Sequence, residues 1–211
     1  MEHTVITIAR GYGSGGRTLG KLLAEELGVN CYDRELLRMA SEESGINEAL
    51  FGEVDEKVKN MPLFGISKKI YKGEIFPPES DEFVSDDNLF NYQAKCIKEL
   101  AKTESCVIIG RCADYILKDE AHVIKLFFYA PKEDCIARVK SQNGGTEKEI
   151  IKKIEKTDKY RSDYYKYHTG RNWNDARNYD VCLNTSKVSI EKCVKIIVNY
   201  LDIVREIEKQ K

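Results

Sequence analysis

The sequence predicts an α/β fold of the P-loop type, a parallel sheet whose strands alternate with helices, and three observations predict it. The first is Ala9-Arg10-Gly11-Tyr12-Gly13-Ser14-Gly15-Gly16-Arg17-Thr18, which holds four glycines in six positions between an apolar run and an amphipathic helix. The second is a series of short β-branched or apolar runs, each followed by a segment of helical periodicity. The third is a long, mainly helical stretch from 34 to 102, where the connection between two strands would ordinarily be short.

Val5-Ile6-Thr7-Ile8-Ala9 reads as a buried strand. Leu19, Leu22, Leu23 and Leu27 then recur at helical spacing, Lys21, Glu25 and Glu26 take the wet face, and Gly28 supplies the stop. Between strand and helix, several backbone N–H groups and the positive end of the helix dipole converge where an anion fits. Two templates describe that loop. As a P-loop, Gly11 and Gly16 frame Tyr12 to Gly15, with Gly13, Ser14 and Gly15 cradling phosphates. Arg17 then stands at the lysine position and Thr18 at the magnesium position. As a dinucleotide fingerprint, Gly11, Gly13 and Gly16 fit, with Asp33 as the ribose-binding acid. A tight turn that binds nothing is the plain alternative. The downstream pattern favours the P-loop. A dinucleotide-binding half would deliver its third strand soon after Asp33, whereas the next strong strand is Cys106-Val107-Ile108-Ile109.

Val29 to Tyr32 forms the second strand, ending at Asp33, which faces the cleft as an acceptor or magnesium-water ligand or else caps the next helix. In that helix Arg34 and Arg38 lie one turn apart and either hold an acceptor phosphate or serve as exposed charges. From Asn60 to Asp87 the pattern weakens, with Met61 to Gly65 and Phe76-Pro77-Pro78 loop-like, and this part is expected to be mobile. Asp87 or Asn88 is the expected cap of a helix running toward Lys102. The third strand ends at Gly110-Arg111, which places a planar guanidinium beside the loop, with Asp114 one turn on to fix it or to read the acceptor.

Val123 to Tyr129 is the fourth strand, and its helix stops at Asn143-Gly144-Gly145. Thr146 and Glu149 form a capping box for a highly charged helix running toward Tyr164. Most of its charges are those of a solvated helix; Asp158 and Arg161, three apart on one face, are the pair selected to reach a transferring phosphate. Tyr160, Tyr164, Tyr165 and Tyr167 stack on a base or fill the core. After Trp173 comes a fifth strand, Val181 to Asn184, then Thr185 and Ser186 at its C-terminal edge near an adenine, then a last helix from about Ser189.

At 211 residues the chain is expected to be one domain: a core of 1–33, 103–145 and 178–211, an acceptor-binding lobe of about 34–102 and a lid of about 146–177. Its 34 basic and 35 acidic residues give a net charge of −1, which excludes bulk attraction to nucleic acid or anionic membrane. Neither a membrane-spanning run nor a signal sequence is evident, so a cytoplasmic protein is expected. Seven cysteines without a C-x-x-C pair read as buried thiols, with Cys112, next to Arg111, the candidate reactive one.

Thr7-Ile8-Ala9-Arg10 with Gly13-Ser14-Gly15-Gly16-Arg17, then Tyr32-Asp33, Val107-Ile108-Ile109-Gly110-Arg111 and Tyr179-Asp180, together resemble the cytidylate kinase-like family. The resemblance implies a three-layer α/β/α fold with a five-stranded parallel sheet, an acceptor lobe and a lid. It also implies ATP- and magnesium-dependent phosphoryl transfer to a nucleoside monophosphate, CMP or dCMP foremost, with small-molecule nucleotides as substrates. Two positions differ from cytidylate kinases proper: Arg17 replaces the usual lysine, and Cys112 follows Gly110-Arg111 where those enzymes carry an aspartate. A kinase for another small acceptor and a non-catalytic nucleotide-binding module are the other readings.

Overall fold

The computed structural model describes residues 3–57 and 71–210. Five strands, β1 (Val5–Arg10), β2 (Asn30–Tyr32), β3 (Cys106–Ile109), β4 (Val123–Tyr129) and β5 (Val181–Asn184), form one sheet in the order β2-β3-β1-β4-β5. Every pairing is parallel, and the longest register runs from Val5 opposite Val123 to Arg10 opposite Phe128. β3 lies between β1 and β2, whereas a dinucleotide-binding half would pair β1 with β2 directly. The strand order thus removes the dinucleotide reading.

Eight α-helices are described, α1 (Gly16–Leu27), α2 (Glu35–Ser44), α3 (Glu48–Lys57), α4 (Asp86–Thr103), α5 (Ala113–Ile116), α6 (Lys132–Asn143), α7 (Glu147–Thr169) and α8 (Ile190–Lys209), with a 3-10 turn at Ala176–Asn178. Successive strand residues face opposite sides of a sheet, so each strand feeds two cores. Ile6, Ile8, Val107, Ile109, Leu126 and Phe128 pack under α1 and α8 with Leu19, Leu23, Val194, Ile197 and Leu201. Val5, Cys106, Ile108 and Val123 pack on the other side with α4, α5 and α7 through Phe90, Ile97, Leu100, Ile116 and Tyr164. The insertion between β2 and β3 has its own small core, Leu37, Ala40, Phe51, Leu89, Tyr92 and Cys96, built from α2, α3 and α4. Among the described residues no helix is long and apolar enough to cross a membrane.

Several local expectations change. β1 extends through Arg10, one residue beyond the apolar run, because Arg10 continues the register against Phe128. Asp33 does not cap α2: the N-cap is Arg34, without a side-chain bond, and the Glu35 carboxylate accepts from the Asp33 backbone N–H. Ser85, not Asp87 or Asn88, caps α4 by accepting from the Asn88 N–H. Asn88 is buried and instead ties α4 to the backbone of Phe76 and Phe83. The capping box at Thr146 and Glu149 is present as read. The loop expected at Met61 to Gly65 lies outside the described residues; 71–85, including Phe76-Pro77-Pro78, carries no helix or strand. Of the cysteines, Cys182 is exposed and Cys31 half-buried, while the other five are buried.

Candidate functional site

The C-terminal ends of β1, β2 and β3, with α6 and α7 across them, enclose a cleft of about 740 Å³. In an open parallel sheet, ligands bind at the carboxyl ends of the strands, at the point where the strand order reverses, here beside β1. The glycine loop is its floor. Gly13 has φ +80, and a Cβ there would stand 2.9 Å from Cys135 Cβ and from the Cys135 carbonyl oxygen, so the loop packs on α6 as only glycine allows. Gly15, with φ +83, starts α1 without a side-chain cap, leaving the first-turn amides directed at the cleft.

Three tethers fix the loop from outside. The Gly11 N–H donates to the Phe128 carbonyl at 2.9 Å. Arg138 of α6 donates to the Gly13 carbonyl at 2.6 Å and to the Thr185 carbonyl at 3.3 Å, and the Thr185 hydroxyl donates to the Ser14 carbonyl at 2.5 Å. From α7, the Asp158 carboxylate accepts from the Tyr12 N–H at 2.7 Å and from Arg161 Nη1 at 3.3 Å, while the same Nη1 donates to the Arg10 carbonyl at 2.9 Å. Burial raises the Asp158 pKa against the pull of the Tyr12 amide and Arg161, and burial lowers that of Arg161.

The structure brings together most of the residues selected from the sequence. Gly11, Gly13, Gly15, Gly16, Arg17, Thr18, Asp33, Arg34, Arg111, Asp114 and Arg161 all line the cleft, and Ser14 is buried directly beneath, its hydroxyl accepting from the Gly16 N–H. Arg17 is half-exposed and its Nε lies 2.6 Å from Asp33 Oδ2. Arg111 has φ +59 and Cys112 φ +55, so with Gly110 at +80 three successive residues are left-handed. Such backbone costs about 1–3 kcal/mol per non-glycine residue and persists where the surroundings over-determine it, commonly at functional sites.

Arg38 does not line the cleft; it is exposed and pairs with Glu42 at 3.7 Å on its own helix. Cys112 is buried at 4% exposure, which shields the thiol expected to be reactive. Asp114 is buried at the aromatic end of the cleft, beside Tyr160, Tyr164, Tyr165 and Trp173. The Tyr165 hydroxyl donates to its Oδ2 at 2.6 Å, and burial nevertheless raises the Asp114 pKa to about 6. Tyr167 lies apart, donating to Asp87 at 3.1 Å. Ser186 is occupied locally, its N–H donating to the Asn184 side chain at 2.9 Å. Sequence reasoning missed Arg10 and Arg138. Arg10 stands only within the motif quoted for the family, and neither residue is selected for the site, because the contacts that place them there, Arg10 with Asp33 and Gly110 and Arg138 with Gly13, are tertiary.

Comparison with known proteins gives a consistent picture. The model of the cytidylate kinase-like family matches residues 5–187. A curated cytidylate kinase of Pyrococcus horikoshii is 28% identical over 214 aligned positions, covering 100% of this chain and 96% of that protein. A crystal structure of an uncharacterized protein from Eubacterium ventriosum superimposes with a TM-score of 0.69 at 28% identity, covering 95% of this chain and 99% of that one. A shikimate kinase from Bacteroides thetaiotaomicron, at 15% identity, shares the fold with a TM-score of 0.53, covering 94% and 98%.

Proposed function

The chain belongs to the cytidylate kinase-like family, and from that premise we propose that it transfers a phosphoryl group from ATP to a nucleoside monophosphate, CMP or dCMP foremost. The observation that carries the reading is the convergence of Arg17, Arg111 and Arg161 on a cleft floored by the glycine loop and the amides at the start of α1. Phosphoryl transfer needs little covalent help from protein; positioning and stabilisation of charge on the phosphoryl oxygens supply most of the acceleration. In this reading Gly11 to Thr18 hold the donor phosphates and Arg17 neutralises β/γ charge. Arg111 and Arg161 meet the transferring group and the acceptor phosphate, and Asp158 orients Arg161. Arg34 and Asp114 face the acceptor, and Asp33 releases Arg17 as phosphate arrives. The segment 34–102 serves as acceptor lobe and 146–177 as lid.

Magnesium in such sites is held by one or two protein oxygens plus phosphate oxygens rather than by a dedicated cage. The cleft has that donor set: the exposed Thr18 lines it, and among the described residues no cluster of three or more His, Cys, Asp or Glu is built to hold a metal alone. Thr18 would hold the ion, which would screen the β- and γ-phosphate oxygens.

The test is coupled ADP release from ATP and magnesium across CMP, dCMP, UMP, AMP and GMP, with a control lacking acceptor. Stimulation by CMP or dCMP is expected, and Arg17→Ala is expected to abolish it while circular dichroism stays native. Unchanged turnover in that variant would remove the assignment. A different small-molecule acceptor is the second reading, favoured by Cys112 standing where cytidylate kinases place an aspartate; silence of the whole panel with intact ATP binding selects it or the non-catalytic module.

A further inference from the structure

Arg10 closes β1 immediately before the glycine loop, and its side chain is threaded between two glycines. A Cβ on Gly16 would stand 2.6 Å from Arg10 Cβ, and a Cβ on Gly110 would stand 2.3 Å from Arg10 Nη1. Gly110 also holds φ +80, so backbone and contact both require glycine there. The guanidinium thus crosses the end of β3 and reaches Asp33 at the end of β2, with Nη2 3.6 Å from Oδ1. Asp33 is shared with Arg17, and Arg161 bonds the Arg10 carbonyl. The Nε of Arg10 is buried and has no hydrogen-bond partner among the described residues.

Charge at this point is unbalanced. Arg10, Arg17 and Arg161 bring three positive charges, and their carboxylate partners Asp33 and Asp158 bring two negative ones. Burial first, then the field of Arg161, lowers the Arg10 pKa to about 9, with Asp33 opposing; the group is still protonated at neutral pH. Clustered guanidinium groups around an unpaired buried donor fit a tetrahedral phosphoryl dianion, whose oxygens a guanidinium fork can meet in pairs. A purely structural arginine would have its donors satisfied by the fold.

We infer that Arg10 is a phosphate-binding residue of this cleft, a second cation beside Arg17 whose fork contacts a phosphoryl group of the donor or of the acceptor. The inference rests on the kinase reading above and adds to it a residue that the P-loop pattern does not contain.

Arg10→Met and Arg10→Lys would be titrated by calorimetry with inorganic pyrophosphate, ATP and CMP, alongside kcat and KM. Arg10→Met is expected to weaken at least one ligand tenfold or more, with Arg10→Lys intermediate. Loss confined to CMP assigns the acceptor phosphate. Loss for pyrophosphate and ATP assigns the donor, and a fall in kcat with binding unchanged assigns the transferring group. Unchanged Kd and kcat in Arg10→Met, or in Arg10→Lys should the methionine variant not fold, overturns the inference. Wild-type protein that binds the ligands without acceptor-stimulated turnover would remove the kinase reading, while the titrations still report on Arg10. Wild-type protein that binds none of the three removes both.

Discussion

His168 sits on α7 as an uncharged imidazole in the interior, its ring stacked on Phe90 at 3.8 Å with Tyr164 and Tyr167 at its edges. Burial lowers its pKa from 6.5 to about 3, only weakly opposed by Asp87, and its Nε2 has no partner among the described residues. The unfolded chain therefore takes up a proton near pH 6.5 that the folded one refuses until near pH 3, and native stability falls as pH drops through that interval. Asp114 acts in the opposite sense. Its pKa is raised from 3.8 to about 6, so the folded state keeps a proton that the unfolded state releases, and stability falls as pH rises across that window. His168→Phe keeps the stacking and removes the first effect. Its stability relative to wild type is expected to grow by about 2 kcal/mol between roughly pH 6.5 and 5, read from urea midpoints; a constant difference would contradict it. At this scale the sequence brings to the cleft the residues that a local pattern selects, such as Arg17 and Thr18, and conceals those whose place is set by tertiary contacts. Arg10 belongs to the quoted motif, but its place in the cleft becomes visible only when Gly110 and Asp33 are set around it.

Among the elements, α7 shows most directly how one helix divides its labour. Its first turn is closed by the reciprocal bonds of Thr146 and Glu149, exposed and remote in sequence from Asp158, whose carboxylate holds the Tyr12 amide. Thr146→Ala is expected to cost about 1 kcal/mol in chemical denaturation with turnover unchanged. Asp158→Ala frees the Tyr12 amide and Arg161 and is expected to weaken ATP binding by about tenfold, the ~1.4 kcal/mol of a charged hydrogen bond. Equal ATP affinity in the two variants would deny the tether any part in the site. Strands and long helices were legible because their periodicity is a local property: β4, β5 and the capping box stand where they were read. The caps between them were less so. Ser85, Asp86, Asp87 and Asn88 are all acceptable N-caps, and the choice of Ser85 follows from the burial of Asn88, a tertiary fact. The short helix α5 escaped notice because its preceding turn, Gly110 to Cys112, depends on a left-handed backbone that two non-glycine residues seldom adopt.

For the molecule as a whole, near-neutrality conceals a sharp internal polarity. Arg10, Arg17, Arg34, Arg111, Arg138, Lys153, Lys156 and Arg161 line the cleft against Asp33 and Asp114, in a chain whose net charge is −1. Fields from a concave, one-signed surface persist near it even when the total charge vanishes. The Kd for ATP is accordingly expected to rise several-fold between about 0.05 and 0.5 M salt, as the screening length shrinks from roughly 14 to 4 Å; a flat dependence would mean that these cations are already neutralised. Asp33 shapes what that field can capture. Its carboxylate, bonded to Arg17 and facing Arg10, is a competitor tethered inside the site at a fixed, high effective concentration. Chloride or bicarbonate must displace it with a single diffuse charge, whereas a polyphosphate arrives with several charges and the loop amides as additional partners. Under the proposed phosphoryl transfer, resting occupancy by the chain's own anion would set a threshold that a polyphosphate passes and a single small anion does not.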